Sequence, residues 1–197
     1  GAASPVSQID ATSLAALDAY SSQTFTFTTY TGSTATQPRF QFNGTIDTSV
    51  SVMSNLQLMS ACCDCQLKYN EMLGLWGVVV QSPAYTVALP IDDSNMISGI
   101  TITPTDLASS YNIAEVKYPN GVATDSFATT ALDLATIAPS LLYPNEPVNK
   151  QTISLPLVNN DVCAQYLATR FLKGAREDLQ VQVRVGFSGL QLEAGDI

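Results

Sequence analysis

Four cysteines and no histidine limit the chemistry open to this sequence of 197 residues. Cys62, Cys63 and Cys65 are clustered, and Cys163 stands alone far along the chain. Neighbouring cysteines do not readily pair with each other, and the spacing is not that of a secreted disulfide framework. A four-thiolate metal site usually draws its ligands from pairs spaced by about two to four residues; Cys62 and Cys65 have that spacing, but Cys163 stands alone and supplies no second pair. The reading favoured by these residues is buried free thiols at a helix end, where cysteine acts as a small hydrophobe. Without histidine, a nucleophilic serine or cysteine lacks its usual base. No Gly-x-Ser-x-Gly elbow, dinucleotide-binding glycine motif or Walker loop is present. Paired carboxylates could hydrolyse a glycoside, but the adjacent carboxylates of Asp92-Asp93 point apart on a strand, and Asp-Asp-Ser-Asn is ordinary turn chemistry. Asn43-Gly44-Thr45 matches a glycosylation sequon, yet Asn-Gly is first a turn signal. The search leaves no catalytic residue, no cofactor-binding residue and no metal ligand, so the chain is expected not to be an enzyme.

These residues hang on a recognisable series of elements. Asp10 or Thr12 caps a helix to Tyr20, with Leu14, Leu17 and Tyr20 on one side. Thr24–Tyr30 alternates as a strand, Thr31–Pro38 is a loop, and Arg39–Gly44 alternates again. Asp47-Thr48 is an N-cap signal for a helix over Ser49–Cys63, with Val52, Leu56, Met59 and Cys63 on one stripe. Cys65–Tyr69 and Leu75–Gln81 read as a hairpin turning at Asn70–Gly74, with Trp76 in its core. Ser98–Thr103 and Ala114–Tyr118 alternate, the latter ending in a Pro-Asn-Gly turn. Val122–Asn149 is a strand near Ser126–Thr130 and otherwise a long loop, of the kind that often carries an interface. Asn159-Asn160-Asp161 starts a helix to Arg176, whose late cations Arg170, Lys173 and Arg176 suit the helix dipole. Leu179, Val181, Val183, Val185 and Phe187 then alternate strictly with other residues, which predicts a half-buried strand. A further strand is expected from Ile197.

The fold class expected is α+β: mixed or antiparallel sheets with three helices at Thr12–Tyr20, Ser49–Cys63 and Asp161–Arg176, in barrel-like subdomains. Residues 1–95 form a first subdomain, and 96–197 a second, β-rich and interleaved with it. A chain of this length buries roughly 70% of its unfolded surface and needs no staple. Charged residues make up only 13%, so much of the surface is expected to lie against partners. A net charge of −9 argues against a basic nucleic-acid grip. No apolar run approaches a membrane span.

The order of signals also carries a resemblance. Leu155-Pro156-Leu157-Val158, a helix with Ala164, Tyr166-Leu167 and Phe171-Leu172, an alternating strand, and Gly189-Leu190 through Leu192-Glu193-Ala194-Gly195-Asp196 follow one another. That series resembles the hub-type tail proteins of long-tailed bacteriophages. Among them, the tail-tip attachment proteins of lambda-like phages are most similar, with contractile-tail baseplate hub proteins more distant. Arg39–Asp47, with its aromatic alternation, Asn-Gly and aspartate cap, fits the same pattern. The cysteine cluster is not a feature of that family, and no cofactor is implied for this chain. The resemblance implies a homotrimeric ring in the virion, at the distal end of the tail tube. It would contact tube, distal-tail and fibre proteins, and DNA would pass only as transient cargo. The negative charge suits a lumen through which DNA slides. The alternative is an extracellular carbohydrate- or protein-binding adhesin module, since Thr/Ser-rich acidic strands occur there too. A third reading is a tail-associated glycosidase or peptidoglycan hydrolase.

Overall fold

The computed structural model describes residues 6–28, 32–81, 87–104, 110–119, 126–176, 179–193 and 195. The densest packing forms where α4 (Asp161–Gly174) lies on a three-stranded sheet of order β7-β6-β8. Central β6 (Ile113–Pro119) runs antiparallel to β7 (Phe127–Asp133) and parallel to β8 (Lys150–Ser154). The strand period of two sends Ala114, Val116 and Tyr118 to the buried face. Cys163, Ala164, Leu167, Ala168 and Leu172 repeat at three and four and bury the facing stripe of α4. The small residues Ala114, Ala164 and Ala168 are wholly covered, which lets helix and sheet backbones approach. Asn160 accepts from the Cys163 N–H at 2.7 Å and fixes the start of α4.

A second layer joins α1 (Ala11–Ser21) to the hairpin of β3 (Cys65–Asn70) and β4 (Leu75–Val80). Asp10 caps α1 by accepting from the N–H groups of Thr12 and Ser13. The Asp10 N–H donates to the Trp76 carbonyl at 2.8 Å. The Val78 N–H donates to Ser13 Oγ at 3.1 Å. Helix and strand run so close at Gly77 that a Cβ there would stand 2.6 Å from Ser13 Oγ. The hairpin turns with Gly74 at φ +67°, as its sequence predicts. α2 (Val52–Cys62) leads directly into β3. Tyr20, Phe40 and the four cysteines share one hydrophobic core with the α4 layer.

The α+β class holds, with differences in detail. A fourth helix, the single turn α3 (Leu134–Ile137), follows β7 and is capped by Asp133. A 3₁₀ turn over Pro139–Leu141 then occupies more of the stretch read as loop. Among the described residues the sheets have two or three strands and none closes into a barrel. Thr34–Pro38, expected as loop, is β2, paired antiparallel with β1 (Thr24–Thr28). Threonine alternation suits an exposed ribbon, and Pro38 is tolerated at its end. Arg39–Gly44, expected as strand, is irregular. Its backbone bonds go instead to Gln23, Ser21 and Leu157, and Phe40 turns inward against Tyr20 and Tyr166. Asp47 does not cap α2. It accepts from the Ser49 N–H and hydroxyl in a local turn, and Ser51 caps the helix through the Ser54 N–H. Serine and aspartate compete for such roles, and the nearer residue won. The first turn of α2, with Val52 and Met53, is exposed, as is Leu14 of α1. Trp76 packs with its ring tilted against Tyr69 across the hairpin, centroids 4.9 Å apart, but stays 39% exposed, so it is not core.

The C-terminal alternation forms only a short strand, β9 (Leu179–Gln182), paired with β5 (Thr101–Pro104). Single contacts continue the pairing: a Met96–Val185 bridge and the bond from the Ile97 N–H to the Arg184 carbonyl. Phe187–Gln191 is a 3₁₀ turn. The strand is not half-buried. In register, Ile102 faces Val181, while Thr101 faces Gln182 and Thr103 faces Gln180. The ribbon therefore has an apolar and a polar side, and both are open, with Ile102 59% and Leu179 62% exposed. The sequence connections at Thr105–Leu107 and Asn120-Gly121, and the strand expected from Ile197, lie outside the described residues.

Candidate functional site

A cleft of about 700 Å³ opens between the α2–β3 junction and the outer edge of the α4 layer. Leu155, Leu167 and Phe171 supply apolar wall, and Asp64, Cys65 and Arg170 supply its chemistry. α2 cannot run on into β3 without a reversal, and Asp64 makes it in the left-handed region at φ +51°. Aspartate tolerates that region better than most residues. Arg170, one turn before the end of α4, reaches across the cleft. Its Nε donates to Asp64 Oδ2 at 2.8 Å, and its Nη2 donates to the Gln81 carbonyl at 3.1 Å. Asp64 in turn raises the Arg170 guanidinium above its ordinary range. This charge is engaged in holding the turn and β4 to α4.

The same reversal gathers sulfur. Cys63 Sγ lies 3.3 Å from Cys65 Sγ and 3.2 Å from the Met59 carbonyl oxygen. A proton held between the two sulfurs pushes the Cys63 thiol up and brings that of Cys65 below its ordinary value. Cys62 and Cys163 are both 1% exposed. Burial raises Cys62, and burial pushes Cys163 up to about 11. All four cysteines are free and buried, as their apolar reading predicts. Among the described residues no group of three cysteine, aspartate or glutamate side chains is placed to hold a metal ion.

Asp92 accepts from the Ser94 N–H and hydroxyl in an exposed turn, and these bonds hold its carboxyl below the usual range. That is the turn chemistry expected of the doublet. The trio Arg170, Lys173 and Arg176 behaves otherwise than expected. Two of its members are spent on partners across the fold rather than on the helix dipole. Arg176 clamps Glu146 with two nearly parallel bonds of 2.7 and 2.9 Å, and its Nη2 also donates to the Tyr111 carbonyl. Both side chains are covered, at 3% and 7% exposure. Asn112 donates to Glu146 Oε1 and to the Pro147 carbonyl, while its own Oδ1 accepts from the Asn149 N–H. Nothing in the proline-rich sequence around Glu146 marks it as a buried anion. The signal available was Arg176 alone, a cation just past the end of α4.

No protein family matches the sequence, and no curated protein is similar to it. Among solved structures the fold is similar to that of a chain in the virion of a native gene transfer agent particle. The superposition has a TM-score of 0.53 at 16% identity and covers 73% of this chain. This chain spans 31% of that one, so the likeness is to part of a larger protein.

Proposed function

We propose that the chain is a structural, non-enzymatic component of a phage-type particle. Within the particle it serves as a tail-tip or baseplate hub subunit, forming a trimeric ring that joins the tail tube to tip and fibre proteins and leaves a path for DNA. The observation that carries the reading is the fold likeness to a virion chain over 73% of the sequence. The Leu155–Val158 segment and α4, which carry much of the resemblance to tail hub proteins, lie within the best-packed part of the fold. Two further features agree with a subunit built to be covered. The β5–β9 ribbon turns an apolar side outward, and Phe187 and Leu190 beside it in sequence are also exposed. The core of a subunit interface is poor in charge, and this chain has only 13% charged residues. The net charge of −9 keeps a phosphate backbone from adhering.

The mass of the full-length protein in solution tests the ring. A trimer is expected, with its population rising with concentration. A protein that stays monomeric at every concentration contradicts the reading.

A further inference from the structure

We propose that Cys63 and Cys65 form a dithiol site that closes to an intrachain disulfide when a small-molecule disulfide enters the cleft. The sulfurs already stand 3.3 Å apart, and a disulfide needs them at about 2.05 Å. Asp64 is what makes the approach: its left-handed conformation folds the chain back between the two cysteines. Arg170 pins Asp64 from the facing helix, so the two sulfurs are held together by the tertiary fold and not by sequence proximity alone. Cys65 lines the open cleft, whereas neither Cys62 nor Cys163 does. The site therefore has one cysteine in the wall of the cleft, Cys65 at 8% exposure, and one behind it to complete the exchange. The proposal stands independently of the hub reading.

The chemistry balances without a metal or cofactor. Cys65, as the thiolate, attacks one sulfur of the incoming disulfide. The S–S bond of the reagent breaks and expels one thiolate, leaving a mixed disulfide on Cys65. Cys63 then gives up its proton and attacks Cys65 Sγ, which expels the second thiolate. Two protein thiols are oxidised, one small disulfide is reduced to two thiols, and the two protein protons end on those thiols.

The test uses the full folded protein with oxidised glutathione, followed by denaturation, alkylation and non-reducing peptide mapping. The expected result is loss of two of the four free thiols, a mass lower by two hydrogens, and a Cys63–Cys65 link. Cys63→Ser should instead retain glutathione on Cys65, and Cys62→Ser should behave as the wild type. The proposal is overturned by a folded protein that loses no thiols, by a link through Cys62 or Cys163 or between chains, or by stable glutathione on Cys65 of the wild type. Should Cys63→Ser fail to fold, the wild-type map decides alone.

Discussion

Single side chains in this protein are held by contacts that tolerate little change. At Gly77 an added methyl meets Ser13 Oγ at 2.6 Å and Asp10 Cβ at 3.1 Å. Overpacking of this kind costs roughly 1–3 kcal/mol. Gly77→Ala should therefore lower the unfolding midpoint in urea without altering the slope. Glu146 is the other sensitive residue. The Arg176 guanidinium holds its carboxyl below the usual carboxylate range, so the folded chain binds its proton less readily than the unfolded one. Its stabilisation is complete above the unfolded pKa near 4.5 and is lost as pH falls through the lower, folded value. Glu146→Gln should reduce stability at neutral pH by about 3 kcal/mol, since it leaves Arg176 covered and unpaired. It should also flatten the loss of stability with acid that the wild type shows. Little of this was legible in sequence. The thiols were readable as apolar because cysteine is usually buried. The ion partners were not, because Arg170 meets Asp64 and Arg176 meets Glu146 only through the tertiary fold.

Elements were more legible where burial and period agree. The elements α4, β6 and the β3–β4 hairpin fall where their patterns place them, because one face of each is covered, although Trp76 of the hairpin stays exposed. Leu172 in α4 is fully buried, and Leu172→Ala should cost roughly 2–5 kcal/mol, read as a lowered unfolding midpoint. The errors fall where alternation occurs without cover. Thr34–Pro38 forms a strand that its loop-like composition conceals. Arg39–Gly44 has the alternation of a strand, but Phe40 gains more by packing between Tyr20 and Tyr166. The β5–β9 ribbon is the most informative case. Its alternation gives one apolar and one polar side and predicts a half-buried strand, but the described fold does not bury the apolar side. A pair of strands is marginal in isolation, so this ribbon should gain order from a neighbour. Ile102→Thr with Val181→Thr should change subunit stability by no more than about 0.5 kcal/mol, as exposed substitutions do. The same variant should weaken self-association measurably by sedimentation.

For the whole molecule, the helices α1–α4, the β3–β4 hairpin and the β7-β6-β8 sheet share one core, with the β1–β2 and β5–β9 ribbons outside it, and the chain spans 31% of the virion chain that it resembles in fold. Fold class was readable from the alternation of helical and strand periods. Closure into barrels was not, because closure depends on which strands pair, and pairing over long separations leaves no local mark. On the proposed function, the chain is a subunit at the distal tip of a particle's tail. Purified particles labelled with an antibody against this chain and viewed by electron microscopy test that most directly. Label confined to the tail tip is the result predicted. Particles that carry none, or that carry it on the head or along the tube, would contradict the account.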